Sequence, residues 1–137
     1  MSSVAPASTG IEQVVQNFEN GKIAPGGFSH ESHIQVGWWY LQQYDLLESI
    51  NRFTAAIRHL TRELGVVEKY HETITWFFLI AIAERCQDKE MQDWSSFRTA
   101  NPDLFEWNPG LLQQYYSDER LQSGLARRVF VLPDLPG

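Results

Sequence analysis

Three of the four histidines in this sequence have the residue type and spacing of metal ligands. His30 and His33 are three residues apart, so on a helix their imidazoles point to the same face. His71 lies at the start of a strongly apolar segment. Three neutral imidazoles can bind Zn, Fe, Ni or Cu and leave a position open for water or substrate. We therefore expect His30, His33 and His71 to form one divalent-metal site.

The histidine spacing alone is not specific. His30 to His33 is one residue shorter than the HExxH pattern of zinc proteases. Two alternatives stay open: a polar pocket without metal, in which histidine is a base or a hydrogen-bond donor, and a purely structural role. The fourth histidine, His59, is excluded because its helical face is mostly polar. That face contains Arg52, Ala55, Ala56, Arg62 and Glu63.

Polar side chains cluster at 69–75, where the apolar segment begins. Polar groups that enter a core must be hydrogen-bonded, so such a cluster indicates a site. Glu72 is the candidate catalytic residue, as a general base, a fourth metal ligand or a hydrogen-bond partner of a ligating imidazole. Its alternative is a first-turn acid that favours the helix dipole. Tyr70 and Thr75 are candidate pocket residues. The alternative for Thr75 is a hydrogen bond back to the carbonyl of His71.

Two further regions are candidates for the pocket wall. Tyr40 shares the helical face of His33 and is expected to line the pocket, although an aromatic residue at this spacing is also typical of a core. Near the C-terminus, Tyr115 or Arg127 would cover the histidines if that segment folds back. Arg127 would then recognise a carboxylate or a phosphate.

The elements that must position these residues are predicted to be helices. The fold class we expect is all-α, a compact bundle of four main helices followed by short C-terminal helices. The third helix gives the clearest signal, because a D-L-L-E capping box at 45–48 precedes apolar residues spaced by three and four. The other main helices are expected from Thr9 to about 20, from the N-cap Ser29 to about 44, and from about 69 to 88.

The domain limits follow from composition. Residues 1–8 are expected to be a disordered N-terminus, residues 9–130 a single helical domain, and residues 131–137 an extended C-terminal tail. Within the domain, short helices are expected at 93–100, 102–107, 109–116, 118–121 and 124–130, with Ser117 as one N-cap.

Composition excludes several functions. The net charge of −6 argues against a nucleic-acid partner and against an anionic membrane surface. The longest apolar run, ten residues from 74 to 83, is too short to span a bilayer. The single cysteine, Cys86, and an N-terminus without the features of a secretory signal favour a cytoplasmic protein. The sequence lacks a phosphate-binding glycine loop, a G-x-S-x-G motif and a C-x-x-C motif.

The two histidine motifs carry a resemblance. F-S-H-x-x-H at 28–33 and K-Y-H-E-T-x-T at 69–75, followed by N-P-D-L-F and L-L-x-x-Y-Y-S, resemble a group of small bacterial conserved hypothetical proteins. The resemblance covers about residues 25 to 135. It implies that the two histidine motifs belong together, and it implies no activity.

The sequence therefore leads to a function hypothesis with alternatives. The first hypothesis is a metal-dependent enzyme, of hydrolase, lyase or oxygenase type, that acts on a small polar molecule through the three-histidine site. The first alternative is a non-enzymatic ligand-binding or accessory module with an aromatic pocket lined by histidine. A helical interaction protein and a heme site are further alternatives. A tryptophan face of the second helix that the core does not use would be compatible with a homodimer.

Overall fold

Helices account for the regular structure of this chain. The computed structural model describes residues 6–23, 27–87, 93–107 and 109–137, and within these ranges it contains no β-strand. The all-α prediction is confirmed. The helices are α1 (Pro6–Glu19), α2 (His30–Gln43), α3 (Leu46–Glu63), α4 (Glu72–Arg85), α5 (Trp94–Ala100), α6 (Leu111–Tyr115), α7 (Asp118–Gln122) and α8 (Gly124–Arg128).

Local side-chain caps determine where several helices begin. Ser29 accepts a hydrogen bond from the Ser32 amide at the start of α2, and Asp45 does the same for the Glu48 amide at the start of α3. Ser117 caps α7 in the same way. At the C-terminal end of α3, Gly65 adopts the left-handed conformation, with φ of 71°. These caps and this stop are the ones that the sequence predicts.

Two helix starts differ from the prediction. Helix α1 begins at Pro6, so residues 6–8, which we expected in a disordered segment, are helical, while residues 1–5 lie outside the described residues. A proline is favourable in a first turn because its missing amide has no partner there. Helix α4 begins at Glu72 and not near Lys69, because a separate 3₁₀ turn, Val67–Lys69, precedes it.

Helix α4 lies at the centre of the bundle, as its apolar residues predict. It packs against α2, α3 and α8. The contact with α2 is close at Gly37, where a Cβ atom would lie 3.0 Å from Leu79 Cδ2 and 3.1 Å from Ile82 Cδ1. Glycine at this position therefore lets the backbones of α2 and α4 approach each other.

Two clusters of buried side chains form the core. One cluster lies among α1, α2 and α3, with Phe18, Val36 and Phe53 among its members. The other joins α2 and α4 to the C-terminal helices through residues such as Ile34 and Phe78. His33 packs against Phe53 of the first cluster and Phe78 of the second, so it lies where the two clusters meet.

The C-terminal tail runs back along the bundle without helix or strand. The Tyr116 hydroxyl donates to the Val131 carbonyl at 2.7 Å, and the Leu135 amide donates to the Tyr115 carbonyl at 3.0 Å. The extended tail predicted at 131–137 is thus held by specific hydrogen bonds. Across the described ranges, no helix combines the length and the apolar character that crossing a membrane requires.

Candidate functional site

A cavity of about 590 Å³ opens where the starts of α2 and α4 meet the end of α3. Its wall is mostly apolar and aromatic, with several hydroxyl and imidazole groups. The three predicted histidines, His30, His33 and His71, are all on this wall. The other lining residues are Phe28, Ser29, Ile57, Leu60, Thr61, Leu64, Val66, Lys69, Tyr70, Ile74, Thr75 and Trp107. The structure therefore places the two histidine motifs around one space.

His30 lies on the cavity wall in a fixed orientation. Its Nε2 donates to the carbonyl oxygen of Leu104 at 2.7 Å, which leaves Nδ1 as the acceptor of a neutral ring. The ring packs against Trp107 and Phe78, with centroid distances of 4.9 and 4.8 Å. Burial lowers the pKa of His30, and the hydrogen bond to Leu104 opposes this shift only in part.

His33 lies among aromatic rings. It stacks on Phe53 with 4.7 Å between centroids, and Phe28 covers it at 6.3 Å. Its Nε2 is buried and has no hydrogen-bond partner among the described residues. Burial, together with the nearby His30, lowers the pKa of His33 to about 3, so the ring is neutral at physiological pH. A buried nitrogen without a partner is rare, and among the described residues the indole nitrogens of Trp38 and Trp76 share this property. The Nε2 of His33 has almost no accessible surface, so a ligand would reach it only after the neighbouring rings move.

His71 is the N-cap of α4 and does not lie inside its first turn. Its Nδ1 accepts a hydrogen bond from the Ile74 amide at 3.2 Å, and its Nε2 donates to the carbonyl oxygen of Leu121 at 2.7 Å. The residue is 8% exposed. The lone pair that a metal would need is therefore directed at a backbone amide. Burial is the main reason that the pKa of His71 is lowered.

The three imidazoles share the cavity but not a coordination point. The rings of His30 and His33 are 6.4 Å apart between centroids, and both nitrogens of His71 are engaged by the backbone. Among the residues that the structure describes, no group of three or more His, Cys, Asp or Glu side chains could hold a metal ion. A three-histidine metal site stays a prediction, and it would require His71 Nδ1 to release the Ile74 amide.

Glu72 does not line the cavity, contrary to its predicted catalytic position. Its carboxylate accepts a hydrogen bond from Arg58 at 3.1 Å and another from the Tyr70 hydroxyl. The Arg58 guanidinium also lies over the Tyr70 ring, 5.0 Å from its centroid. Because Glu72 is about 100° around the helix from the position of His71, it points to this neighbouring face. The carboxylate therefore orients Tyr70 and Arg58 and does not face the histidines.

The other predicted pocket residues divide into two groups. Tyr70 and Thr75 are on the cavity wall, and Thr75 also donates to the His71 carbonyl at 2.8 Å, as its alternative interpretation proposed. Tyr40 is not on the wall. It is buried in the cluster among α1, α2 and α3, and its hydroxyl donates to Glu19 at 2.5 Å. The helical face that Tyr40 shares with His33 lies in the core about two turns further along α2.

Residues outside the histidine motifs also shape the cavity. Trp107 covers His30 and is 46% exposed, and Lys69, an exposed residue, also lines the cavity. Trp107 follows the short 3₁₀ turn Pro102–Phe105, far from α2 in sequence, so no local pattern connects it to His30. Lys69 belongs to the polar cluster at 69–75, which could have identified it.

None of the remaining candidate residues is on the cavity wall. Tyr115 packs against Phe77, with 5.5 Å between centroids, and does not cover the cavity. Arg127 lies near the cavity, since it donates to the Glu68 carbonyl at 2.9 Å. His59 is not on the cavity wall. Burial raises the pKa of Cys86 to about 11, which agrees with its expected lack of reactivity.

A mostly apolar space, neutral imidazoles and hydroxyl groups suit a small organic molecule with few polar atoms. Comparisons with protein-family models, with curated proteins and with solved structures return no match.

Proposed function

We propose that this protein binds a small, mainly apolar molecule in the cavity lined by His30, His33 and His71. The observation that carries the proposal is the cavity itself, whose volume of about 590 Å³ is within the range of about 300–1,000 Å³ that is typical of small-molecule sites. Its aromatic wall would bury the body of the ligand, and its few polar groups would orient it.

His33 supplies the main argument for a specific ligand. Its buried Nε2 has no partner among the described residues, and leaving such an atom unsatisfied costs about 1–3 kcal/mol. The nitrogen has almost no accessible surface, so a ligand hydroxyl, carbonyl or amide would have to displace a neighbouring ring to reach it, and the new bond would then recover part of this cost. Because the ring stays neutral at physiological pH, it would recognise a polar atom and not a full negative charge.

Binding without catalysis fits these contacts better than a metal-dependent reaction. The predicted general base, Glu72, is bonded to Arg58 and Tyr70 and does not line the cavity. His71 caps α4 with the nitrogen that a metal would use. The metal-dependent enzyme stays a prediction. Metal analysis of protein purified without a histidine tag, with melting temperatures measured after addition of Zn, Fe, Ni or Cu, tests it.

The binding proposal is tested with β-naphthol, a neutral aromatic molecule with a single hydroxyl group. We expect saturable binding with one molecule per chain in titration calorimetry. The variant Val66→Trp places an indole on the cavity wall and should weaken this binding about tenfold or more. The matched control is Val67→Trp, at the neighbouring position, which is 57% exposed and outside the cavity.

Three results would contradict the proposal. They are no saturable binding of β-naphthol by the unmodified protein, equal binding by Val66→Trp, and an equal loss in Val67→Trp. Circular dichroism of both variants shows whether the helices are intact, and the titration of the unmodified protein is informative even if Val66→Trp does not fold.

A further inference from the structure

A second pocket, which we call the arginine pocket, lies beside the histidine cavity. It has a volume of about 610 Å³ and is more open to solvent. Three arginines contribute to its wall. The lining residues are Arg58, Val67, Glu68, Tyr70, Arg127 and Arg128.

The positive charge of the arginine pocket is only partly neutralised. Arg58 is paired with Glu72, while neither Arg127 nor Arg128 forms an ion pair within the described ranges. Arg127 donates from Nη1 to the Glu68 carbonyl, which fixes its guanidinium beside the pocket. Glu68 is the carboxylate on the wall, so positive charge exceeds negative charge there. This is notable in a chain whose net charge is −6.

The arginine pocket and the histidine cavity are adjacent. Tyr70 lines both spaces, and in the segment before it Val66 and Lys69 line the cavity, whereas Val67 and Glu68 line the arginine pocket. The two spaces are also close electrostatically, because the charge of Arg127 contributes, after burial, to the lowered pKa of His71. Lys69 adds a further cation at this boundary.

We propose that the arginine pocket binds the phosphate group of a ligand whose apolar body occupies the histidine cavity. The ligand class is then a small aromatic or aliphatic phosphate monoester. This inference rests on the proposed function, since it needs the cavity to hold the apolar body, and it adds a charged group at the edge formed by Lys69 and Tyr70.

Phosphate fits this pocket better than a carboxylate does. Guanidinium groups bind phosphate oxygens with paired hydrogen bonds, and a phosphate monoester offers three such oxygens and nearly two charges. Arg127 and Arg128 are consecutive at the end of α8, and Arg58 comes from α3, so they approach the pocket from two elements. A carboxylate, with two oxygens and one charge, would engage fewer of these donors.

Three probes separate the two sites: inorganic phosphate for the arginine pocket, β-naphthol for the cavity, and β-naphthyl phosphate for both. Each is titrated at constant ionic strength into the unmodified protein and into the double variant Arg127→Gln/Arg128→Gln. The matched control is Arg62→Gln, because Arg62 is exposed on α3 and lines neither pocket.

We expect β-naphthyl phosphate to bind more tightly than either of the other probes. The double variant should weaken its binding about tenfold or more and leave β-naphthol binding unchanged, whereas Arg62→Gln should change neither. The inference is overturned if β-naphthyl phosphate binds no more tightly than β-naphthol, or if Arg62→Gln loses as much as the double variant. It is also overturned if inorganic phosphate binds as tightly as the ester, since the pocket would then take free phosphate. Failure of β-naphthol to bind contradicts the proposed function separately.

Discussion

His71 Nε2 donates a hydrogen bond to the carbonyl oxygen of Leu121 across 2.7 Å, although the two residues are 50 positions apart in the chain. The same ring caps α4 through Nδ1. One histidine therefore connects the start of the central helix to the short C-terminal helices, while one side of its ring contributes to the cavity wall. Substitutions of His71 can therefore measure how much each of these two hydrogen bonds contributes to stability.

Substitution of His71 should destabilise the protein in steps. His71→Ala loses both bonds, and we expect the free energy of unfolding to fall by about 2–4 kcal/mol. His71→Asn retains a good N-cap side chain but does not reach Leu121, so it should lose about half as much. Urea unfolding measures both values. An alanine variant as stable as the unmodified protein would show that these bonds are not formed.

Stability should fall as the pH decreases below about 6.5. The pKa values of His30, His33 and His71 are all lowered from 6.5 in the folded protein, so the unfolded chain binds protons more readily. Each lowered histidine contributes up to about 1.4 kcal/mol per pH unit once the pH is below 6.5, until its own folded pKa is reached.

Urea unfolding between about pH 7.5 and pH 5 measures this dependence above the range in which carboxylates titrate. The control is His33→Phe, which removes one of the three groups and should give a smaller slope. A free energy of unfolding that is constant over this range, or one that rises toward pH 5, would contradict the lowered pKa values.

His33→Phe should also separate stability from binding. The ring of His33 already stacks with Phe53 and Phe28, so a phenyl group fits the same aromatic surroundings. Because the unsatisfied Nε2 disappears, we expect the free energy of unfolding at neutral pH to rise by about 1 kcal/mol. Binding of β-naphthol should weaken, since its hydroxyl loses a partner. A destabilised variant with unchanged binding would assign His33 a structural role.

Thr73 should be one of the most sensitive polar positions. Its hydroxyl lies 2.8 Å from the Ala126 carbonyl and 2.9 Å from the Val129 carbonyl, and it accepts from the Val131 amide at 3.1 Å. Thr73→Val keeps the shape but removes these bonds, and we expect a loss of about 2–3 kcal/mol. Thr54→Val is the matched control, because that hydroxyl bonds only within its own helix. Equal melting temperatures for the two variants would contradict this assignment.

The helices could be predicted from the sequence because their signals are local. Ser29, Asp45 and Ser117 cap helices through amides three residues ahead, and the apolar residues of α3 repeat within one helix. The start of α4 could not be placed in this way. Its cap is a histidine, a residue type outside the usual set of caps, and the 3₁₀ turn before it has helix-forming residues.

The site could be predicted only in part, because some of its contacts join residues that are distant in sequence. Helical spacing placed His30 and His33 on one face, but it could not show that Leu121 would take one nitrogen of His71 or that Arg58 would take the carboxylate of Glu72. Both partners are distant in sequence. Tyr40 shows the limit of a shared face, because its ring is buried in the core and its hydroxyl donates to Glu19 of α1.

Binding of a small apolar molecule in the histidine cavity can be followed by nuclear magnetic resonance of the imidazole nitrogens during titration with β-naphthol. His30 and His33 line the cavity, whereas His59 does not and serves as an internal control. We expect saturable shifts of the His30 and His33 signals, largest for His33, while the His59 signals stay in place. Unchanged signals of His30 and His33, or shifts that are equal in His59, would contradict binding in this cavity.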